Sequence, residues 1–113
     1  MNPQPILRSV SSYENVVAAT ASTATLLGFA QYSSLLVRIA SVGSMAGSDL
    51  LFYASPTPDG TFYPVILSDG TAAKITAPAV GSWYAAPPDL FGCNYIKIVP
   101  SSGSGVCAVM VKG

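Results

Sequence analysis

From residue 14 onward the chain alternates short apolar runs with small polar residues, broken about every ten positions by glycine, proline, serine or aspartate. A half-buried strand repeats every second residue, and turn residues punctuate its ends, so this spacing predicts strands. The runs are ENVVAAT (14–20), TATLLGF (23–29), SLLVRIA (34–40), LLFYAS (50–55), FYPVIL (62–67), AAKITA (72–77), SWYAAP (82–87), NYIKIV (94–99) and GVCAVMV (105–111). PTPDGT (56–61) is a turn in which proline sets φ, aspartate bonds locally and glycine supplies the left-handed conformation, and SDGT (68–71) makes a second turn. Pro64 puts its strand at a sheet edge or a bulge, because it has no N–H for the ladder. The Ala-rich stretch 17–27 is where helix competes, but its Thr and Val residues favour strand.

The last two runs illustrate the expected core. Read as a hairpin around PSSGSG, they set Val99 near Val106 and Cys107 near Ile98. Ile96, Ile98, Cys107, Val109 and Val111 then share an inner face, while Tyr95, Lys97, Ala108 and Met110 share the outer one. In that register Cys93 falls several residues past Cys107's partner, so two free, mostly buried thiols are expected, with a disulfide as the alternative.

These elements predict an all-β fold: a single antiparallel β-sandwich over residues 14–113, of jelly-roll or Greek-key type. Residues 1–13, with Pro3, Pro5 and a scatter of serines, read as an extended N-terminal arm. Its apolar anchors, Ile6, Leu7 and Val10, are candidates for docking on a neighbouring subunit; the alternative is a loose tail.

Charge changes the picture. The 113 residues carry five basic and five acidic side chains and no histidine, where roughly 28 charges would be ordinary for this length. A net charge of zero lacks the electrostatic footprint of a nucleic-acid binder and favours contact between copies. The mean hydropathy of +0.50 invites a membrane reading. The longest uncharged run, 15–37, is nevertheless too rich in Asn, Gln, Ser, Thr and Tyr to span a bilayer. The opening MNPQPILRSV has no basic leader and apolar core, so cytoplasmic synthesis is expected.

Catalytic constellations are sparse. Without histidine there is no His-based triad, no Cys–His dyad and no ordinary zinc site. Neither S-x-x-K nor G-x-S-x-G occurs, and no phosphate-cradling loop is present. The even spacing of Asp49, Asp59 and Asp69 matches strand-plus-turn length better than a calcium loop. No catalytic residue, metal or cofactor is therefore expected. Aromatic residues are the better candidates. Neighbours in a strand point to opposite faces, so Phe52, Phe62 and Trp83 are expected inside. Tyr53, Tyr63 and Tyr84, together with Tyr95, are then expected outside as interface candidates. Exposed tyrosines suit a protein interface first, and edge cover or sugar stacking otherwise.

The stretch LLFYASPTPDGTFYPVILSDGTA, with the closing NYIKIVPSSGSGVCAVMVKG, resembles small β-sandwich virion proteins of tailed bacteriophages; the likeness covers residues 23–113. It lies in strands and turns and transfers no catalytic residue. The resemblance implies a non-catalytic virion structural protein, a capsid decoration (cement) protein above all, or a neck, tail or fibre module. It implies a homo-oligomer, a trimer first, that binds the major capsid protein. The alternative is a carbohydrate-binding or adhesion module of a phage tail or fibre, with glycan contacts at Trp83 and Tyr84.

Overall fold

The computed structural model describes residues 11–19, 26–28 and 34–112. Among the described residues nine strands follow in order: β1 (Ser11–Ala18), β2 (Leu26–Gly28), β3 (Ser34–Ser41), β4 (Leu50–Ser55), β5 (Tyr63–Pro64), β6 (Lys74–Ile75), β7 (Tyr84–Ala85), β8 (Tyr95–Pro100) and β9 (Gly105–Lys112). One sheet runs β1-β9-β3-β7, the other β2-β8-β4-β5, and β6 also pairs with β4. All pairings are antiparallel. If β5 and β6 count as one position, almost every connection passes from one sheet to the other. That order, with the first strand beside the last, is the double Greek key of a jelly roll. The expected all-β sandwich is what the chain forms.

Strand parity builds the core. In β3, Leu35, Val37 and Ile39 are buried while Leu36 and Arg38 are half-exposed. Leu50 and Phe52 in β4, Ile96 and Ile98 in β8, and Cys107 and Val109 in β9 complete the inner layer, each at most 1% exposed. Burying each large apolar side chain contributes roughly 1.5–3 kcal/mol before conformational entropy is charged against it. Leu90 enters the core from a 3-10 helix, Pro88–Gly92, which interrupts the predicted loop between β7 and β8.

The expected terminal hairpin does not form. β8 pairs with β4 and β2, whereas β9 pairs with β1 and β3 in the opposite sheet. Ile96 and Ile98 do face Cys107, Val109 and Val111, but across the sandwich rather than along a ladder. The segment PSSGSG is therefore a crossover, not a hairpin loop. It is laced to the other crossover at that end, between β3 and β4. Ser44 N–H donates to the Ser104 carbonyl at 2.9 Å, and Ser101 N–H donates to the Asp49 carbonyl at 2.9 Å. The Ser48 hydroxyl donates to the Ser102 carbonyl at 2.8 Å, and Ser104 N–H donates to the Ser44 hydroxyl at 3.0 Å. Gly103 has φ +72°, and a Cβ there would overlap the Ser44 carbonyl, so only glycine permits this approach.

Both aspartate-glycine turns form. PTPDGT links β4 to β5, with Gly60 N–H donating to the Thr57 carbonyl, but Gly60 does not take the left-handed conformation expected of it, whereas Gly70 of SDGT does, at φ +89°. In SDGT, Asp69 accepts from the Thr71 hydroxyl at 2.7 Å and from its N–H at 3.0 Å. β1 begins at Ser11, three residues before the strand read from the sequence, and pairs along its length with β9.

Candidate interaction surfaces

Cross-strand partners share a face, so the register assigns the outside of each sheet. On the first sheet the outward positions with described side chains are Val17 on β1, Ser34, Leu36 and Arg38 on β3, Ala85 on β7, and Val106, Ala108 and Met110 on β9, with Ala108 fully covered by its neighbours. Trp83, just before β7, joins them: the Arg38 guanidinium carbon lies 5.2 Å from its ring centroid. Val17 is 46% exposed and Trp83 38%. Apart from Ser34, the described side chains of this side are aliphatic and aromatic, and its central cation is laid on a ring. A β-bulge between Ile39 and Ser41 ends the regular pairing of β3 with β9.

On the second sheet the outward residues are Leu51, Tyr53 and Ser55 on β4 and Tyr95, Lys97 and Val99 on β8, of which Ser55 and Val99 are themselves covered. Lys97 Nζ sits 4.4 Å from the ring centroid of Phe62. Tyr95 lies over Gly28, covering a strand position that has no side chain of its own. At the rim, Lys74 Nζ and Asp49 Oδ2 form an ion pair at 3.2 Å, and Ala77 N–H donates to Asp49 Oδ1 at 2.9 Å. The Ala77 amide and then Lys74 hold the Asp49 carboxyl below its ordinary pKa.

The expected site residues are thus distributed. Tyr53 and Tyr95 lie on the outside of the second sheet, half-buried. Tyr63, in the edge strand β5, is 68% exposed, the most open of the aromatics described. Ile6, Leu7 and Val10 lie outside the described residues. The third aromatic pair is inverted. Tyr84 pairs with Val37 and so shares its inward face, packing against the core with its hydroxyl accepting from Ala79 N–H at 2.8 Å. Trp83, expected inside, is therefore outside. Phe62, also expected inside, is half-buried beneath Lys97 rather than in the core. The sequence reading missed Val17, Leu36 and Val106 as surface candidates. The available signal was that β3 and β9 carry apolar residues at both parities, which a sheet with one solvated side does not need.

Other features offer little chemistry. Both cysteines are free, so the expected thiols are present although the hairpin that argued for them is not. Burial raises the Cys93 thiol above its ordinary value and pushes Cys107 up to about 11. An activated nucleophile is shifted the other way. A cavity of about 260 Å³ is lined by Ala54, Ser55, Pro56, Cys93 and Asn94. Another of about 230 Å³, at the end of the sandwich, is lined by Ile39, Val42, Met45 and Val80 among others. Neither brings a nucleophile together with a base. Among the described residues no group of three or more acidic or cysteine side chains is placed to hold a metal ion, and no helix is long and apolar enough to cross a membrane. No protein-family model, curated protein or solved structure matches the chain.

Proposed function

We propose that this chain is a non-catalytic structural subunit of a virion, a capsid decoration protein that self-associates and stabilises the shell formed by the major capsid protein. One observation carries the reading: the described side chains on both broad sides of the sandwich are poor in charge, and the cations in their midst, Arg38 and Lys97, each lie over an aromatic ring. Surfaces made this way suit contact with protein better than contact with water, since interface centres are depleted in charge and enriched in aromatics and Arg. The jelly roll supports the reading only weakly, because it is shared by capsid and lectin domains, and function lives in the site rather than the fold. The virion setting rests on the strand-and-turn resemblance over residues 23–113. A subunit that binds only the expanded shell stabilises it by mass action, by about 2.7 kcal/mol per site at a hundredfold excess over Kd.

The test is co-sedimentation with shells assembled from the major capsid protein of the same genome. Saturable binding at micromolar concentration, with a raised melting temperature of the shell, is the expected result. Absence of the chain from pellets of both precursor and expanded shells overturns the proposal. The second reading, a carbohydrate-binding module, is favoured by the exposed ring of Trp83. It is weakened by Tyr84, whose inward turn removes half of the expected aromatic platform. Glycan-array binding abolished by Trp83→Ala would decide for it.

A further inference from the structure

We infer that the outer face of the sheet β1-β9-β3-β7 is buried against a second copy of this chain, with Leu36, Trp83, Val106 and Met110 at the contact. The inference rests on the assembly reading and names the surface that carries it. Three of the four strands are eight residues long. At about 3.3 Å per residue and 4.8 Å between strands, they present a side of roughly 25 by 15 Å. That is roughly 400 Å² in projection, shared between apolar Val17, Leu36, Trp83, Val106 and Met110 and the polar positions Ser34, Arg38 and Lys112, and surface patches of that size with an apolar centre are often binding sites. Two such sides together, with side-chain relief, bury about 1,000 Å², the lower threshold of a specific interface, where weak and transient contacts lie.

The occupant follows from charge. A partner of opposite charge would find little to recognise, because the register puts only two cations at described strand positions of this face, Lys112 at the end of β9 and Arg38, which is already set against Trp83. A second copy meets no long-range repulsion, since the chain carries five basic and five acidic groups. It also presents a face of the same aliphatic and aromatic character, and the guanidinium–indole stack lets Arg38 enter the contact partly screened.

Trp83 is the chain's only tryptophan, so it reports on its own surroundings. The experiment combines light scattering from 1 to 200 µM with tryptophan emission over the same dilution series. Four variants are compared: Met110→Glu at the centre of the face, Ala85→Glu and Val17→Glu at exposed positions of it, and Tyr53→Glu on the other sheet. Circular dichroism melts establish that each is folded; the exposed Ala85 and Val17 sites keep the test usable if Met110→Glu unfolds. Expected is a mass at least twice the 11.6 kDa of one chain, falling on dilution as the emission shifts to the red. Ala85→Glu and Val17→Glu should weaken association at least tenfold, and Tyr53→Glu should leave it unchanged. A wild-type chain that stays monomeric at 200 µM overturns the inference, as does an oligomer that only Tyr53→Glu dissolves. In either case, binding to shells would leave the assembly reading standing. Self-association lost as expected, in a chain that never sediments with shells, would instead uphold the inferred face and reject the virion role.

Discussion

Gly103→Ala should be among the most damaging single-methyl additions available to this protein. The added Cβ would overlap the Ser44 carbonyl and approach Met45 N at 2.9 Å, all of it backbone. It would also sit at φ +72°, where a side chain costs about 1 kcal/mol. Relief requires the two crossovers to part. That breaks Ser44 N–H to Ser104 carbonyl, 2.9 Å, and Ser104 N–H to the Ser44 hydroxyl, 3.0 Å. Each such bond is worth about 1 kcal/mol, so the total is about 3 kcal/mol. For a domain of this size that lowers Tm by about 12 °C. Gly47→Ala is the matched control: φ is +77° there but nothing lies within 4 Å of the added carbon. It should lose only the conformational part, about 1 kcal/mol or less after the stiffer unfolded chain is counted. Thermal and urea unfolding of both variants gives the comparison. Equal destabilisation by Gly103→Ala and Gly47→Ala would refute the claim that close contact between the crossovers holds this end of the sandwich.

Three further outcomes follow from the same structure. Phe52→Ala, at the centre of the core with 1% exposure, should lower stability by about 3–5 kcal/mol in urea titrations. Asp49 titrates below its ordinary 3.8 in the folded chain, so its contribution is present above that pH and is lost as pH falls through the lower folded value. Asp49→Asn should therefore flatten the acid limb of a Tm–pH curve. Cys107 moves the opposite way: unfolded, its thiol ionises near 9.0, but folded only at about 11, so its contribution is full below 9 and declines between those values. Cys107→Val, similar in volume, should reduce the loss of stability across that alkaline window. In the native chain Cys107 should also resist a thiol reagent that modifies it rapidly in denaturant.

The sequence made sides legible, and partners much less so. Alternation in LLFYAS and NYIKIV correctly separates Phe52 from Tyr53 and Ile98 from Lys97, because parity is a local property of an extended chain. Whether β9 lies beside β8 or opposite it leaves the same residues facing inward, so the pattern of Ile96, Ile98, Cys107 and Val109 cannot distinguish a hairpin from a crossover. What decides is distant: the serines of the 101–104 stretch find their partners in the 44–49 loop. The inversion at Trp83 has a similar cause. β7 is only two residues long, too short for parity to be read from it, and its side is set by the pairing of Tyr84 with Val37. Turn chemistry was the most readable layer, since Asp69 and Thr71 satisfy one another within the turn itself. The surface candidates were readable only in part. Exposed tyrosine is a visible signal, whereas Val17 and Leu36 look like core residues until the strand order is known.

The position of β9 between β1 and β3 has a consequence for how the molecule comes into being. β1 and β3 stand on either side of it and, among the described pairings, never bond to each other. Until residues 105–112 arrive, the first sheet has two long strands with an empty lane between them, while the second can already join β2, β4, β5 and β6 to β8. The final contact brings Ser11 opposite Lys112, a loop closure across nearly the whole sequence. Folding should therefore be slow for a chain of this length, with the second sheet condensing first. An intermediate held at that stage would expose the edges of β1 and β3 to a neighbour's β9, so exchange of the last strand between copies is the misfolding route this topology most directly invites.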